Sequence, residues 1–569
     1  MQLTTPFAIN MLAWLTAAVT MGAWTLAGFL TARRGEHRMQ LSGREVLVQV
    51  ARWSALLGAA LAGAMALQGE HSAAWWFAMV CSSLAFALSF MRRWEAAFYS
   101  LALTAMAVMA PAAAREELVP RDQDVLTDVA MVGAVAFTVL AGCWLVKAVA
   151  RPAELLVGRL RFVSVGAALV VSFCDLLTIW GQWSGGWELD ATLHLARTGC
   201  AVLLATLAFA PSGLAALPGA LVAVLGQAAA TMALHTVPAA AGEQVATDVR
   251  AFGYSVADWP TLFNMVFNAR VNVFFCCLAL VAIGLYLHFV RVLHRRGDHW
   301  PAGRTFAWVL AWLVLIFLTS SGLGRYAPAV FSVHMLVNLG INMLCALVLA
   351  LGGFITLILR ATPAQGRGKP AGLREWVVAT MHSRYLGFLY NPIIALVFMT
   401  GTYYVYYLTG LFTSSLQMHW LHQFFYLHFL VSGYIFYGLI IGIDQPPHPL
   451  PHIGKLGLII GAMPFHAFFG VILMAKTTVY AEDFLTRLGH PWMAARGLMH
   501  DQWVGGTIAW AGGEFPLVVA LLALFYQWSK QDKKESSRID RHMDAGTDES
   551  YDVYNQMLAQ LADRDRQPG

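Results

Sequence analysis

Charge is what this chain most lacks. Only 12% of its 569 residues are Asp, Glu, Lys or Arg, where a soluble protein carries about twice that share. Its 58% hydrophobic content and mean hydropathy of +0.60 complete the contrast. A soluble domain is excluded, and a polytopic membrane protein is expected. Cysteine outside apolar segments is also missing. Cys81, Cys143, Cys174, Cys200, Cys276, Cys277 and Cys345 all lie in hydrophobic runs, and no CxxC occurs. Disulfide staples and thiolate metal sites are therefore disfavoured. No P-loop and no GxGxxG between a strand and a helix is found, which argues against ATP-driven transport and dinucleotide chemistry. The net charge of +5 is mild and its basic residues sit in loops, so nucleic acid is not a partner.

Long apolar runs are abundant. About 20 apolar residues cross a bilayer, and that ruler gives an all-α membrane protein of about fifteen spans in two helical bundles. They fall near 8–30, 46–67, 75–91, 95–113, 125–149, 162–181, 192–210, 214–235, 270–290, 304–321, 329–359, 385–409, 418–441, 454–475 and 503–528. The first run has no clear cleavage site after it and reads as a helix rather than a removed signal. Placing Arg33, Arg34, Arg38 and Arg44 in the cytoplasm puts most other loop Lys and Arg there too, including those of the tail from Lys530. The N-terminus is then outside and the C-terminus inside. Three units are expected: 1–265, rich in Ala, Leu and Val; 266–530, a seven-helix unit carrying most Tyr, Phe, Met and His; and 531–569, a charged tail, short amphipathic helix or disordered.

Histidine carries the functional signal. His419, His422 and His428 stand in one span, and His466 in the next. An imidazole inside a bilayer is costly unless paired or bound, and histidine is the commonest metal ligand. His419 and His422 are spaced i, i+3 and share a face. His428 lies about 14 Å from His419 along the helix, on a different side. Depth matching predicts a shallow set of His334, Met335, His419 and His422. It predicts a deeper set of His428 and His466, with Asn338 and Glu514 beside it. Imidazole with thioether favours copper, particularly Cu(I), over zinc. Glu514 reads as an outer-sphere partner of a ligand or a proton relay. The aromatic run 403–407 reads as an interfacial belt. His448 and His452 read as solvated loop residues, and Asp175 with Arg197 as an ion pair. His490 and His500 lie in a loop near the shallow set.

The segments "FSVHMLVNLGINM", "MHWLHQFFYLHFLVSGYIFYGLIIGID", "MPFHAFFGVILM" and "DQWVGGTIAWAGGEFP", with the "MHSRYLGFLYNPIIALVFMTGTYYVYY" stretch, together resemble the CtaG family of caa3-type cytochrome c oxidase assembly factors. The resemblance runs from about 270 to the tail. The first half resembles, more weakly, the copper resistance CopD domain, so the whole is similar to a CopD–CtaG fusion. The resemblance implies copper supply to a haem–copper oxidase in a bacterial plasma membrane, with oxidase subunits or other copper chaperones as partners. It marks His334, Met335, His419, His422, His428 and His466 as metal positions, and adds Asp501 and Glu514, like Asn338, as partners of the ligands or proton relays. Where relatives carry a second His-Met pair, this chain has Asn338 and Leu339. Three other readings stay open: copper transport or resistance, a b-type haem protein with His428 and His466 as axial ligands, and a ligand-free scaffold. None requires covalent chemistry by the protein, so no enzyme is expected.

Overall fold

The computed structural model describes residues 41–68, 72–90, 100, 103–107, 109, 123–150, 154–181, 189–210, 217–236, 246–365, 372–447, 449–544 and 549–566. All regular structure among them is helical, as expected. The first half contributes α1 (Leu41–Gln68), α2 (Ser72–Leu88), α3 (Gln123–Ala150), α4 (Glu154–Gly181), α5 (Leu189–Leu207) and α6 (Leu217–Thr236). The second half contributes α7 (Val273–Arg295), α8 (Ala302–Ser320), the broken span α9 (Phe331–Ala361), the bent pair α10 (Pro392–Leu408) and α11 (Leu411–Gln417), then α12 (His419–Ile441), α13 (His452–Ala475) and α14 (Leu498–Asp544). A separate α15 (Glu549–Arg566) lies in the tail.

Among the described residues, nine helices are long and apolar enough to cross a membrane, or ten if the bent pair counts as one span. That is fewer than the fifteen expected. Three expected spans correspond to apolar helices of shorter length, Ala74–Leu88, Ala191–Leu207 and Pro218–Thr231. The expected span at 8–30, most of that at 95–113, and His448 lie outside the described residues. Large side chains such as Leu280, Phe306, Ile393, Phe468 and Phe515 point outward from the bundle, where hydrocarbon rather than water suits them.

Close helix packing follows from small residues. Gly470 of α13 meets Gly506 and Trp510 of α14 so tightly that a Cβ on Gly470 would sit 2.6 Å from the Trp510 amide nitrogen. On α12, Gly433 lies directly against the Asn342 carbonyl. Asn342 stands in a π-helical stretch, Gly340–Cys345, that interrupts α9. Its Nδ2 donates to the Phe429 carbonyl at 2.7 Å and to Ser432 Oγ at 3.1 Å, fastening α9 to α12. Such π-bulges concentrate at functional positions. Gly353, at φ +61°, then breaks α9 before its last turns.

The halves meet at the N-terminal end of α12. Phe77 of α2 packs on Trp420 and Phe424, with ring centroids 5.5 and 5.3 Å apart. Asp124 of α3 takes a two-pronged bond from Arg270, at 2.7 and 3.1 Å. Asp128, one turn on, accepts from the Phe274 amide at 3.1 Å. Within the first half the expected Asp175–Arg197 pair forms at 3.4 Å, and His194 Nδ1 joins the same carboxylate at 2.9 Å.

Candidate metal centre

Two of the predicted ligands come together. His334 of α9 and His422 of α12 meet edge to face, with ring centroids 5.2 Å apart. His334 is fully buried and His422 nearly so. The walls are aromatic: Phe412, Tyr406 and Tyr407 around His334, and Tyr426 at 4.5 Å from His422. His334 Nδ1 is buried without a hydrogen-bond partner. His422 faces the Ser415 carbonyl. Met335 is completely buried beside His334 in the chain. Two buried imidazoles in contact, one with an unused ring nitrogen, fit a soft ion such as Cu(I).

Asn338 belongs to this shallow set and not to the deeper one. It stands one turn after His334, and its Nδ2 lies 2.9 Å from His334 Nε2 and 2.6 Å from the Tyr407 hydroxyl. The i, i+4 spacing, read along the helix rather than against membrane depth, explains the correction.

His419 does not join the His334–His422 pair directly. Its Nε2 turns to Asp128 Oδ1 at 3.0 Å, with Gln423 Nε2 also at 3.0 Å. A cleft of about 50 Å³ opens here, room for a few waters or one hydrated ion. Asp124, Asp128, Arg270, His419, His422 and Gln423 line it, so residues of both halves share it with one member of the buried pair.

The deeper pair does not assemble as expected. His428 Nε2 is engaged by Thr402 Oγ1 at 2.9 Å, and its ring is boxed by Phe398, Phe424, Phe425 and Phe429. His466 contacts Tyr403 instead, with centroids 5.5 Å apart. Phe429 also lies on Tyr403, at 4.7 Å. Thus the residue after His428 faces His466's side of the bundle, while His428 itself turns to the 397–401 π-turn of α10. His466 Nε2, Tyr403 Oη and Glu514 Oε1 are each buried without a partner. Gly513, next to Glu514, lies flat against the His466 ring, where a Cβ would come within 3.2 Å.

Asp501 acts as a clamp. Its carboxylate accepts from Ser332 Oγ at 2.6 Å and from Arg496 Nε at 2.8 Å, tying α14 to the start of α9. Among the described residues, no three His, Cys, Asp or Glu side chains converge on one point.

Two expectations about aromatic and loop residues change. Tyr403, Tyr406 and Tyr407 are buried, not interfacial. The 76° bend between α10 and α11 folds this turn into the bundle. His452 stacks on Trp528 at 5.6 Å and bonds Gln531 at 2.9 Å, so it is held by α14 and not simply solvated. His490 approaches Asp248 at 3.1 Å and stacks on Trp492. Burial alone would raise the Asp248 carboxyl, but bonds from the Val256 amide, Ser255 and the Val249 amide outweigh it and hold that carboxyl below its usual range. The residues missed from sequence are Asp124, Asp128, Gln423, Tyr403 and Tyr407. Asp124 and Asp128, one turn apart at the start of an apolar run in "RDQDVLTDVAM", were a visible sign of the first group.

Residues 284–531 match the family model described as cytochrome c oxidase caa3 assembly factor. An uncharacterized protein of Mycobacterium bovis and one of Mycobacterium tuberculosis are each 34% identical over 512 residues, covering 87% of this chain and 76% of theirs. An uncharacterized protein of Mycobacterium leprae is 40% identical over 312 residues, 54% of this chain and 47% of its own. No solved structure matches. The CtaG motifs read from the sequence and the matching family model agree: this membrane chain belongs to the caa3-type cytochrome c oxidase assembly factor family.

Proposed function

We propose that this chain handles copper for cytochrome c oxidase assembly, holding the ion as Cu(I) between His334 and His422 and passing it to an oxidase subunit within the bacterial plasma membrane. The observation that carries this reading is the contact of two buried imidazoles from different helices, one with an unused nitrogen. Such a pair is costly in a membrane interior unless it serves a ligand. Ligand exchange suits soft, sparsely coordinated ions, which move between sites without a rigid cage. The shallow pair abuts the polar cleft beside His419, so the ion has a route in from the end of α12.

Copper transport is the second reading. Its support is the set of unpartnered atoms further along the bundle, on Tyr403, His466 and Glu514. A bis-histidine haem reading would need His428 Nε2 to leave Thr402 Oγ1, 2.9 Å away. The test is complementation in a host lacking the chain, read as copper content and optical spectrum of the purified oxidase. His334→Ala/His422→Ala should give copper-deficient oxidase. Full copper occupancy with that variant would contradict the reading.

A further inference from the structure

At the seam between the halves, His419 Nε2 has two polar neighbours at 3.0 Å whose demands conflict. Toward the Asp128 carboxylate the nitrogen must carry a proton and donate. Toward an amide N–H it must be bare and accept. Turning the Gln423 amide over, so that its oxygen faces the imidazole, would relieve the conflict. Gln423 Oε1 is otherwise buried with no partner. After the turn, Asp128 Oδ1 and Gln423 Oε1 both face His419 Nε2.

We propose that Asp128, His419 and Gln423 form a binding site for a divalent first-row transition metal, shared between the halves and distinct from the His334–His422 pair. Spacing supports this. Donors bound at about 2.0–2.1 Å and at right angles stand about 3 Å apart, and both flanking donors lie 3.0 Å from the imidazole nitrogen. The carboxylate is nearly fully buried, with its side chain 2% exposed, and its other oxygen is fixed by the Phe274 amide. A cleft of about 50 Å³ adjoins the three donors and supplies space for the remaining ligands as water. Tyr426, whose buried hydroxyl has no partner, lines the same cleft. One imidazole with oxygen donors is the set that Cu(II) or Ni(II) takes, in contrast to the soft pair beneath. The first half thereby contributes a ligand that the second half lacks.

The probe is Cu(II) added to the full chain in detergent, followed by electron paramagnetic resonance and equilibrium titration. One saturable axial signal with nitrogen coupling is expected. Asp128→Asn and Gln423→Ala should each weaken binding by about tenfold or more, and His419→Ala should abolish the nitrogen coupling. His334→Ala should leave the signal unchanged, which keeps this site separate from the Cu(I) reading. Gln423→Ala removes the only polar contact described for that side chain, so it serves if Asp128→Asn does not fold. No saturable signal in the wild type, unchanged binding in both Asp128→Asn and Gln423→Ala, or a signal lost only with His334→Ala would overturn the proposal.

Discussion

At the residue scale, what each imidazole nitrogen touches decides what it can bind. Asn338 fills the position one turn from His334, within 2.9 Å of its Nε2. A third imidazole at that place would face the same pocket. Asn338→His is therefore expected to raise Cu(I) affinity by about tenfold or more, as one added ligand does, measured by competition with a Cu(I) chelator. Equal or weaker affinity would show that position 338 does not reach the ion. Asp248 makes a second prediction, outside the membrane-spanning segments. Its carboxyl is held below the usual range, so its contribution to stability is complete above the unfolded value of about 3.9 and is lost only as pH falls through the lower folded value. Hydrogen exchange at the Val256 amide, which bonds Asp248 at 2.9 Å, should stay slow from about pH 7 to pH 5. In Asp248→Asn it should be faster across that range. Exchange that quickens already near pH 6, or that is unchanged in Asp248→Asn, would contradict this.

At the element scale, the site depends on close crossings and on departures from regular helix. The π-stretch of α9 turns Asn342 toward α12, where two bonds hold it. Asn342→Ala should cost about 1–3 kcal/mol by leaving the carbonyl and hydroxyl on α12 less well satisfied, and should loosen the His334–His422 contact with it. Gly470 admits no side chain against Trp510. Gly470→Val should separate α13 from α14 and cost about 1–3 kcal/mol or more by overpacking. Thermal unfolding in detergent reads both, and a melting temperature equal to wild type in either variant would contradict the packing described. These crossings explain what was legible in the sequence. The seven second-half helices follow from apolar length alone, and the histidines from their rarity in such runs. The bend between α10 and α11 was not legible, because Thr409 and Gly410 give only a weak break signal within an apolar stretch. That bend buries Tyr403, Tyr406 and Tyr407, which composition alone places at an interface.

At the scale of the whole molecule, the two halves share a polar seam. Asp124 with Arg270 and Asp128 with His419 cross it. Depth matching, which treats each helix as straight and each half as separate, had no means of finding a bond between positions 128 and 419. It grouped His428 with His466 for the same reason, since depth is shared while facing direction is not. Breaking the seam with Arg270→Ala strands a largely buried Asp124, a loss of about 3–5 kcal/mol when such a pair is well buried. Limited proteolysis should then cut between the halves sooner than in wild type, and unchanged cutting would mean the seam contributes little. The central claim is that a copper ion sits between His334 and His422. Its most direct test is metal content by mass spectrometry, with an optical spectrum, on detergent-purified chain loaded with Cu(I). Wild type loaded under reducing conditions should hold stoichiometric Cu(I) that His334→Ala/His422→Ala loses and His428→Ala/His466→Ala keeps; a metal-free wild type, or Cu(I) retained at the wild-type level after both shallow histidines are removed, would contradict this claim.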